Sequence, residues 1–328
     1  MKVSASIRRL YDDQKGVNDR LQLVVDGRIN SFKNPRWHYE SRVKDLPSFA
    51  LKIESGRFTD PHALEDFFAC TLVVANATEI DEADRLINET FTVESRRPQQ
   101  SSVTHKASQA FPFDDLRLYA RLREDASTLP TDPTGVPFEI QIKTFLQHAW
   151  SIATHDLVYK TPDPNWSKER IAYQIKAMLE HAEVSIQEAE RISACSLLAK
   201  EDQKTAAIKK GIAVLKAQWK PDQLPEDIRR LAENVVRLLQ GLEISADRLE
   251  EILTRGKAEN AGEHPVNLSP YNTIVQYLLH VESTKMLTLL RKPPTKRMVT
   301  VLIPEEIEIP VGVDTADFTN AIIVKTSL

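Results

Sequence analysis

Two segments in the first half of the chain alternate strictly between apolar and polar residues. One is "LRLYARLR" at residues 116–123, and the other is "FEIQIK" at residues 138–143. A period of two residues predicts half-buried strands, with the apolar side chains on one face and the polar side chains on the other. A folded core requires only the apolar face. The residue types on the polar face therefore need a separate explanation.

The segments before these strands predict a mixture of helices and strands. Residues 36–58 have apolar and aromatic positions at roughly helical spacing, with Pro47 as an interruption. Residues 70–75 form an apolar run that predicts a buried strand, and residues 79–91 predict an amphipathic helix. Residues 94–110 are polar and have no period, which predicts a mobile loop. This order of elements favours an α/β or α+β fold, with helices flanking a sheet that has one polar face.

The second half of the chain has a different pattern. A helix is predicted from residue 144 until Pro162 and Pro164 end it. Residues 165–328 are then mostly helical in period and rich in charge, and they end in a short β-prone tail. We therefore expect two domains, residues 1–164 and residues 165–328. Apolar stripes in the second domain predict a helical core packed on the sheet, and a regulatory role or homo-oligomerisation through these helices stays open.

Composition narrows the protein class and its location. The 328 residues carry a formal net charge of −4, which argues against capture of nucleic acid by overall charge. No apolar segment is long enough for a membrane helix, and the first residues lack the apolar core of a secretory signal. Cys70 and Cys195 are too far apart in sequence for a disulfide framework or a zinc motif. We expect a cytoplasmic protein that does not bind membranes.

Several common motifs of nucleotide-binding and hydrolytic enzymes are absent from the sequence. It has nine glycines and contains no GxxxxGK[ST], GxGxxG or GxSxG segment. His148 and His155 share one face of the predicted helix, and Asp156 follows His155 to form an HD pair. A metal-dependent HD phosphohydrolase needs further ligands in upstream helices, and the sequence does not offer them. A structural pair of histidines is therefore the simpler interpretation.

The polar faces of the two alternating strands form the first candidate site. If these strands are neighbours in the sheet, Glu139 lies among several cations, including Arg117 and Lys143. One carboxylate among cations suits a metal-bound ligand rich in phosphate. The alternative is a solvated face with cross-strand ion pairs.

A basic segment at residues 42–52 forms the second candidate site. On a helix, Lys44, Ser48 and Lys52 would line one face, close to Arg42. Such a face is suited to gripping a polyphosphate. The same spacing is common on solvated helices, so it has little weight alone.

The order of four segments resembles the synthetase domain of the RelA/SpoT family. They are "SRVKDLPSFALK", "LEDFFACTLVV", "FEIQIKT" and "HAWSIATHDLVYK", and the resemblance covers residues 36–162. It implies a nucleotidyltransferase-like mixed β-sheet flanked by helices. It also implies Mg²⁺-dependent transfer of pyrophosphate from ATP to the 3′-hydroxyl of GDP or GTP. The products of such enzymes are the guanosine tetra- and pentaphosphate alarmones of the stringent response.

The resemblance further implies roles for individual residues. Asp66 and Glu139 match the two carboxylates that bind Mg²⁺, and Glu139 also matches the proposed base toward the 3′-hydroxyl. Arg42 matches the side chain that stacks on adenine. The other matched positions would hold phosphates or the acceptor nucleotide: Lys44, Ser48, Lys52, Phe113, Arg117, Gln141, Lys143, His148, His155 and Lys160.

Three positions depart from the family's pattern. Thr71 occupies a position where an arginine usually completes the adenine sandwich, and Phe113 and Arg117 stand where a GYxSxH segment has its tyrosine and histidine. These departures predict a divergent branch. Besides an alarmone synthetase, two alternatives stay open. One is a toxin-like pyrophosphokinase that acts on the 3′ end of tRNA or on adenosine nucleotides, and the other is a degenerate nucleotide-sensing module without catalysis.

Overall fold

The computed structural model describes residues 1–56, 64–99, 115–123, 133–155, 158, 165–293 and 300–325. The chain forms two compact units, Met1–Leu198 (unit 1) and Ala199–Leu328 (unit 2). The expected boundary after residue 164 differs from this division, because the next helix buries Lys176 and Glu183 within unit 1. Among the described residues, none of the helices is both long and apolar enough to cross a membrane.

The described part of unit 1 contains five strands and six α-helices. The strands are β1 (His38–Val43), β2 (Phe68–Val74), β3 (Phe91–Arg97), β4 (Leu116–Leu122) and β5 (Phe138–Thr144). The helices are α1 (Ala5–Phe32), α2 (Leu46–Glu54), α3 (Ile80–Thr90), α4 (Phe145–Thr154), α5 (Trp166–Gln187) and α6 (Ala189–Ser193).

The five strands form one mixed sheet in the order β1-β2-β5-β4-β3. The β2–β5 pair is parallel, and the other pairs are antiparallel. The predicted strands at β2, β4 and β5 are confirmed, as is the pairing of β4 with β5. The apolar face of the sheet packs against α1 and α3, with Leu21, Val25 and Ile87 fully buried. The mixed α/β class with one polar sheet face is therefore confirmed.

The prediction of a helix from residue 36 is wrong in its first half. Residues 38–43 form β1, an edge strand on which exposed and half-buried side chains alternate. Helix α2 begins only at Leu46, because Asp45 accepts a hydrogen bond from the Ser48 N–H at 2.8 Å and Pro47 occupies the first turn. Arg42 therefore lies on a strand and Lys44 in the connection. Ser48 and Lys52 are on the helix, as predicted.

The predicted loop at residues 94–110 is also wrong where the structure describes it. Residues up to Arg97 belong to β3, which pairs with β4 and has an irregularity between Val93 and Ser95. Tertiary contacts explain why this polar segment is a strand. Arg121 makes an ion pair with Glu94 at 2.6 Å, and the Arg97 guanidinium lies over the Tyr119 ring at 5.0 Å. Residues 100–110 lie outside the described residues.

Unit 2 is mostly helical, as predicted, and ends in two short strands. Its elements are α7 (Gln203–Gln218), α8 (Ile228–Gly241), α9 (Leu249–Glu259), α10 (Pro270–Val281), α11 (Ser283–Arg291), β6 (Val301–Pro304) and β7 (Ala321–Val324). The strands β6 and β7 pair in parallel. The apolar stripes of α8 and α9 are buried in the core of this unit, with Leu238, Ile252 and Leu253 fully enclosed. The helical character of this core is therefore confirmed.

Candidate active site

The polar face of the sheet brings the predicted site residues of three strands together. Tyr119 and Arg117 on β4 pair in register with Glu139 and Gln141 on β5. On the other side of β5, Gln141 pairs with Thr71 on β2. Since side chains two residues apart on a strand share one face, these groups lie side by side. The register places Glu139 near Arg117, as expected for neighbouring strands, but a second carboxylate, Asp115, lies beside the same cations.

Glu139 is the most enclosed charged residue of this face. It is 5% exposed, on a strand with neighbours on both sides. The side-chain amide of Gln141 donates a hydrogen bond to its Oε1, and the Tyr119 hydroxyl also makes a hydrogen bond with this carboxylate. Burial together with the charge of Glu139 raises the pKa of Tyr119 to about 12. The phenol therefore keeps its proton at neutral pH and acts as a donor to Glu139.

Two cations next to Glu139 are held by an aspartate that the sequence analysis did not single out. Oδ2 of Asp115 lies 3.3 Å from Nε of Arg117 and 3.8 Å from Nζ of Lys143. Burial lowers the pKa of Lys143, and Arg117 adds to this effect against the opposing carboxylates. For Arg117, burial alone would lower the pKa, but Asp115 and Glu139 outweigh it and the pKa is raised. A lysine whose charge is costly to bury gains from binding an anion.

Asp66 lies just before β2 and pairs with two basic residues, Lys44 just before α2 and Lys52 within it. Its Oδ2 forms ion pairs with Lys44, at 3.2 Å, and with Lys52. Burial would raise the pKa of Asp66, but Lys52 and Lys44 outweigh it and the pKa is lowered. The other oxygen, Oδ1, is buried and has no hydrogen-bond partner among the described residues. An orphaned carboxylate oxygen beside lysines is available to a cation.

A cleft of about 430 Å³ opens between the polar face of the sheet and α4. Its walls contain several predicted ligand-binding side chains, but neither Asp66 nor Glu139 is among them. The predicted residues in the walls are Arg42, Gln141, Lys143, His148 and His155. Thr71, where the resemblance leads one to expect an arginine, lines the same cleft.

A family model described as a region found in RelA / SpoT proteins matches residues 41–163. These residues form a RelA/SpoT domain. The domain is of the pyrophosphokinase type, and its described part contains β2, β4 and β5, which carry the polar face described above. The expectation drawn from the four sequence segments is thereby confirmed at the level of the family.

Several solved structures are similar to the chain at low sequence identity. The small alarmone synthetase 1 from Bacillus subtilis is 15% identical with a TM-score of 0.44, and the alignment covers 57% of this chain and 97% of that one. The same synthetase bound to its product pppGpp is 16% identical with a TM-score of 0.40, covering 58% and 96%. A GTP pyrophosphokinase family protein from Streptococcus pneumoniae is 17% identical with a TM-score of 0.41, covering 58% and 97%. No curated protein matches the sequence.

Helix α4 presents two histidines of the RelA/SpoT domain to the cleft. It begins with a capping box, in which the Thr144 hydroxyl accepts from the Gln147 N–H and the Gln147 side chain accepts from the Thr144 N–H. This cap fixes the first turn, where His148 is 9% exposed. Burial lowers the pKa of His148, and Lys143 and His38 add to this against Glu40. His155 lies at the other end of α4 and lines the cleft as well.

Two of the predicted site residues cannot be placed in the structure. Phe113 and Lys160, which the resemblance implied for nucleotide binding, lie outside the described residues.

Glu183 of α5 accepts hydrogen bonds from the Ala77 N–H at 2.6 Å and from the Thr144 hydroxyl at 2.8 Å. No local pattern could have shown that Glu183 contacts Thr144, because they are 39 residues apart. For Asp115 a signal existed, since an acid directly before a strand with alternating arginines is placed to pair with them.

Proposed function

We propose that the RelA/SpoT domain transfers pyrophosphate from ATP to the 3′-hydroxyl of GDP or GTP and so makes (p)ppGpp-type alarmones. The observation that carries this proposal is the buried carboxylate of Glu139, which is hydrogen-bonded by Gln141 and Tyr119 and lies beside Arg117 and Lys143. A carboxylate held rigidly among cations can accept a proton while its neighbours bind phosphate. A solvated face with simple ion pairs would not require this degree of burial.

In the proposed reaction the 3′-hydroxyl oxygen of the acceptor attacks the β-phosphorus of ATP. A new bond joins that oxygen to the β-phosphorus, the bond from the β-phosphorus to the oxygen shared with the α-phosphate breaks, and AMP leaves. Glu139 takes the proton of the 3′-hydroxyl as general base. Gln141 and Tyr119 hold the carboxylate in one orientation, since each makes a hydrogen bond to it. Transfers of this kind depend mainly on positioning and on charge neutralisation.

Asp66 and Glu139 are the residues that would hold Mg²⁺ in this reaction. The donor set fits, because Mg²⁺ prefers oxygen ligands and Oδ1 of Asp66 is a buried carboxylate oxygen without a partner among the described residues. Bound Mg²⁺ supplies neutralisation of the charge on the reacting phosphates. Lys44 and Lys52, which already pair with Asp66, would turn toward the phosphates of ATP.

The cleft, together with helix α2, would bind the donor and the acceptor. We propose that Arg42 on β1 stacks on the adenine of ATP, with Ser48 and Lys52 of α2 on its phosphates. Gln141, Lys143 and the two histidines of α4 would bind the acceptor. Thr71 is too short to complete an adenine sandwich, so we expect the donor to be held less tightly from this side.

Thr71 also favours a second candidate function, a module that binds nucleotide without transferring pyrophosphate. It lies in register between Glu40 and Gln141 and lines the cleft. Transfer requires ATP to be held at this side of the cleft, whereas a module that binds only the acceptor nucleotide does not. The retention of both Asp66 and Glu139 supports the transferase over this candidate.

A transfer assay separates these functions. The full chain is incubated with Mg²⁺ and γ-labelled ATP, and GDP, GTP, AMP, ADP and uncharged tRNA are offered separately. We expect label on a guanosine nucleotide, and Glu139→Gln is expected to lower the rate at least about 100-fold while ATP still binds. Glu89→Gln, at an exposed glutamate of α3 that forms an ion pair with Arg85 of the same helix, is the matched control.

The other outcomes each replace a part of the proposal. Label on tRNA or on an adenosine nucleotide keeps the transferase and changes the acceptor to that of a toxin-like enzyme. No label with any acceptor, while calorimetry still detects ATP or GTP binding, favours the sensing module. Undiminished transfer by Glu139→Gln removes Glu139 from the chemistry.

A further inference from the structure

Two histidines and one glutamate lie together at the edge of the cleft. His38 and Glu40 belong to β1, and His148 belongs to α4. One possible ligand atom of each residue lies within 4.8 Å of the other two. The rings of His38 and His148 are 5.7 Å apart, centroid to centroid. Neither the family match nor the proposed transfer reaction gives these three residues a common role.

The local structure explains why the three side chains converge. His38 and Glu40 are two residues apart on an edge strand, so their side chains point to the same face. His148 occupies the first turn of α4, which the capping box at Thr144 holds in place. Nδ1 of His148 is buried and has no hydrogen-bond partner among the described residues, although the residue is 9% exposed. A buried imidazole nitrogen without a partner is costly, and coordination to a metal is one way to remove the cost.

We propose that His38, Glu40 and His148 form a binding site for a divalent transition metal of the zinc class, separate from the Mg²⁺ carboxylates. Two imidazoles and one carboxylate are a ligand set that zinc uses with a fourth position open. Mg²⁺ prefers oxygen ligands throughout, so the two sites differ in chemical selectivity.

The geometry requires only a modest closure of the three side chains. Ligand atoms bound to one tetrahedral zinc ion lie roughly 3.3 Å apart, as follows from bond lengths of about 2.0 to 2.1 Å. The spacing of up to 4.8 Å therefore has to contract by about 1.5 Å at most. His38 and Glu40 are exposed and can change rotamer, while the buried His148 stays fixed. The bound ion would link β1 to α4, and its open position would face the cleft that Glu40 and His148 line.

The test measures zinc binding by the full chain after treatment with a chelator. Titration calorimetry with Zn²⁺ alone is expected to give one equivalent per chain. Co²⁺ is the spectroscopic probe, because its visible bands report nitrogen and oxygen ligands and a strong near-ultraviolet band reports thiolate. His38→Ala and Glu40→Gln should each weaken binding at least about tenfold. Both residues are exposed, so neither change is expected to disturb the fold.

Two control variants separate this site from others. His181→Ala removes an exposed histidine of α5 and should leave zinc affinity unchanged. Asp66→Asn should also leave it unchanged, which makes the outcome independent of the proposed transfer reaction. The proposal is overturned if His38→Ala and Glu40→Gln bind zinc as tightly as the parent, if binding is lost in Cys195→Ser, or if the parent binds no zinc.

Discussion

The buried carboxylate of Glu183 allows a prediction that links stability to the site. It is 6% exposed and accepts two hydrogen bonds, from the Ala77 N–H at 2.6 Å and from the Thr144 hydroxyl at 2.8 Å. Thr144 is in turn the N-cap of α4, which carries His148. Glu183→Ala removes the carboxylate that connects α5 to Ala77 and Thr144. We expect it to destabilise unit 1 and to loosen the first turn of α4.

The magnitude follows from the two contacts. A hydrogen bond to a charged group contributes about 1.5 to 3 kcal/mol, so the pair contributes roughly 3 to 6 kcal/mol. The variant also no longer has the cost of burying a carboxylate, and this offsets part of the free energy lost with the two hydrogen bonds. We expect a net loss of about 2 to 4 kcal/mol for Glu183→Ala, or about 30- to 700-fold in the unfolding equilibrium constant. Glu183→Gln should lose only about 1 kcal/mol, because the amide can still accept from Ala77 and can donate to Thr144.

Urea unfolding followed by circular dichroism measures these differences, and hydrogen exchange assigns them to one unit. Exchange should quicken in the peptides of α4 and α5 and stay at parental rates in unit 2. Glu190→Ala, at an exposed glutamate of α6, is the control and should be within about 0.5 kcal/mol of the parent. The reasoning is refuted if Glu183→Ala unfolds at the same urea concentration as Glu190→Ala.

Three further predictions concern a glycine, a histidine and the donor side of the cleft. In Gly256→Ala the new Cβ would lie 2.1 Å from Cγ of Tyr277, so unit 2 should lose about 1 to 3 kcal/mol in urea unfolding. Gly27→Ala, where the new Cβ has nothing within 4 Å, should be neutral or slightly stabilising, and equal losses would contradict the packing argument. Burial and the nearby charge of Lys257 lower the pKa of His264 in the folded chain. As the pH falls through about 6.5, the histidine is therefore protonated in the unfolded chain before it is protonated in the folded chain. Unit 2 should lose stability over this pH range. Measured unfolding free energies at pH 8 and pH 5 should differ less in His264→Gln, and equal differences would exclude this origin. Thr71→Arg should lower the Kd for ATP, measured by calorimetry, relative to the control Thr71→Gln. The control lengthens the side chain without adding charge. Equal affinities of the two variants would show that residue 71 does not contact the donor.

The sequence alone determined those elements whose pattern is local. Strands β4 and β5 were predictable because side chains alternate faces every two residues, whatever the rest of the chain does. Helix α3 was predictable because its apolar residues recur at the helical period and so lie on one face of the helix. Glu139, Gln141 and Lys143 could be placed on one polar face without any knowledge of the fold. The four quoted segments were enough to suggest the family, and the match of residues 41–163 confirmed it.

Tertiary structure decided everything that depends on partners far away in the sequence. Strand β1 has exposed side chains on one face and only half-buried ones on the other, so its strand conformation comes from pairing with β2. Strand β3 is polar from Glu94 onward, and this part is a strand because β4 lies beside it. The hydrogen bond from the Thr144 hydroxyl to Glu183 joins two segments that are 39 residues apart and share no sequence pattern. The meeting of His38 and Glu40 with His148 likewise joins an edge strand to a helix. Periodicity describes which way a side chain points, and only the assembled fold decides what it meets there.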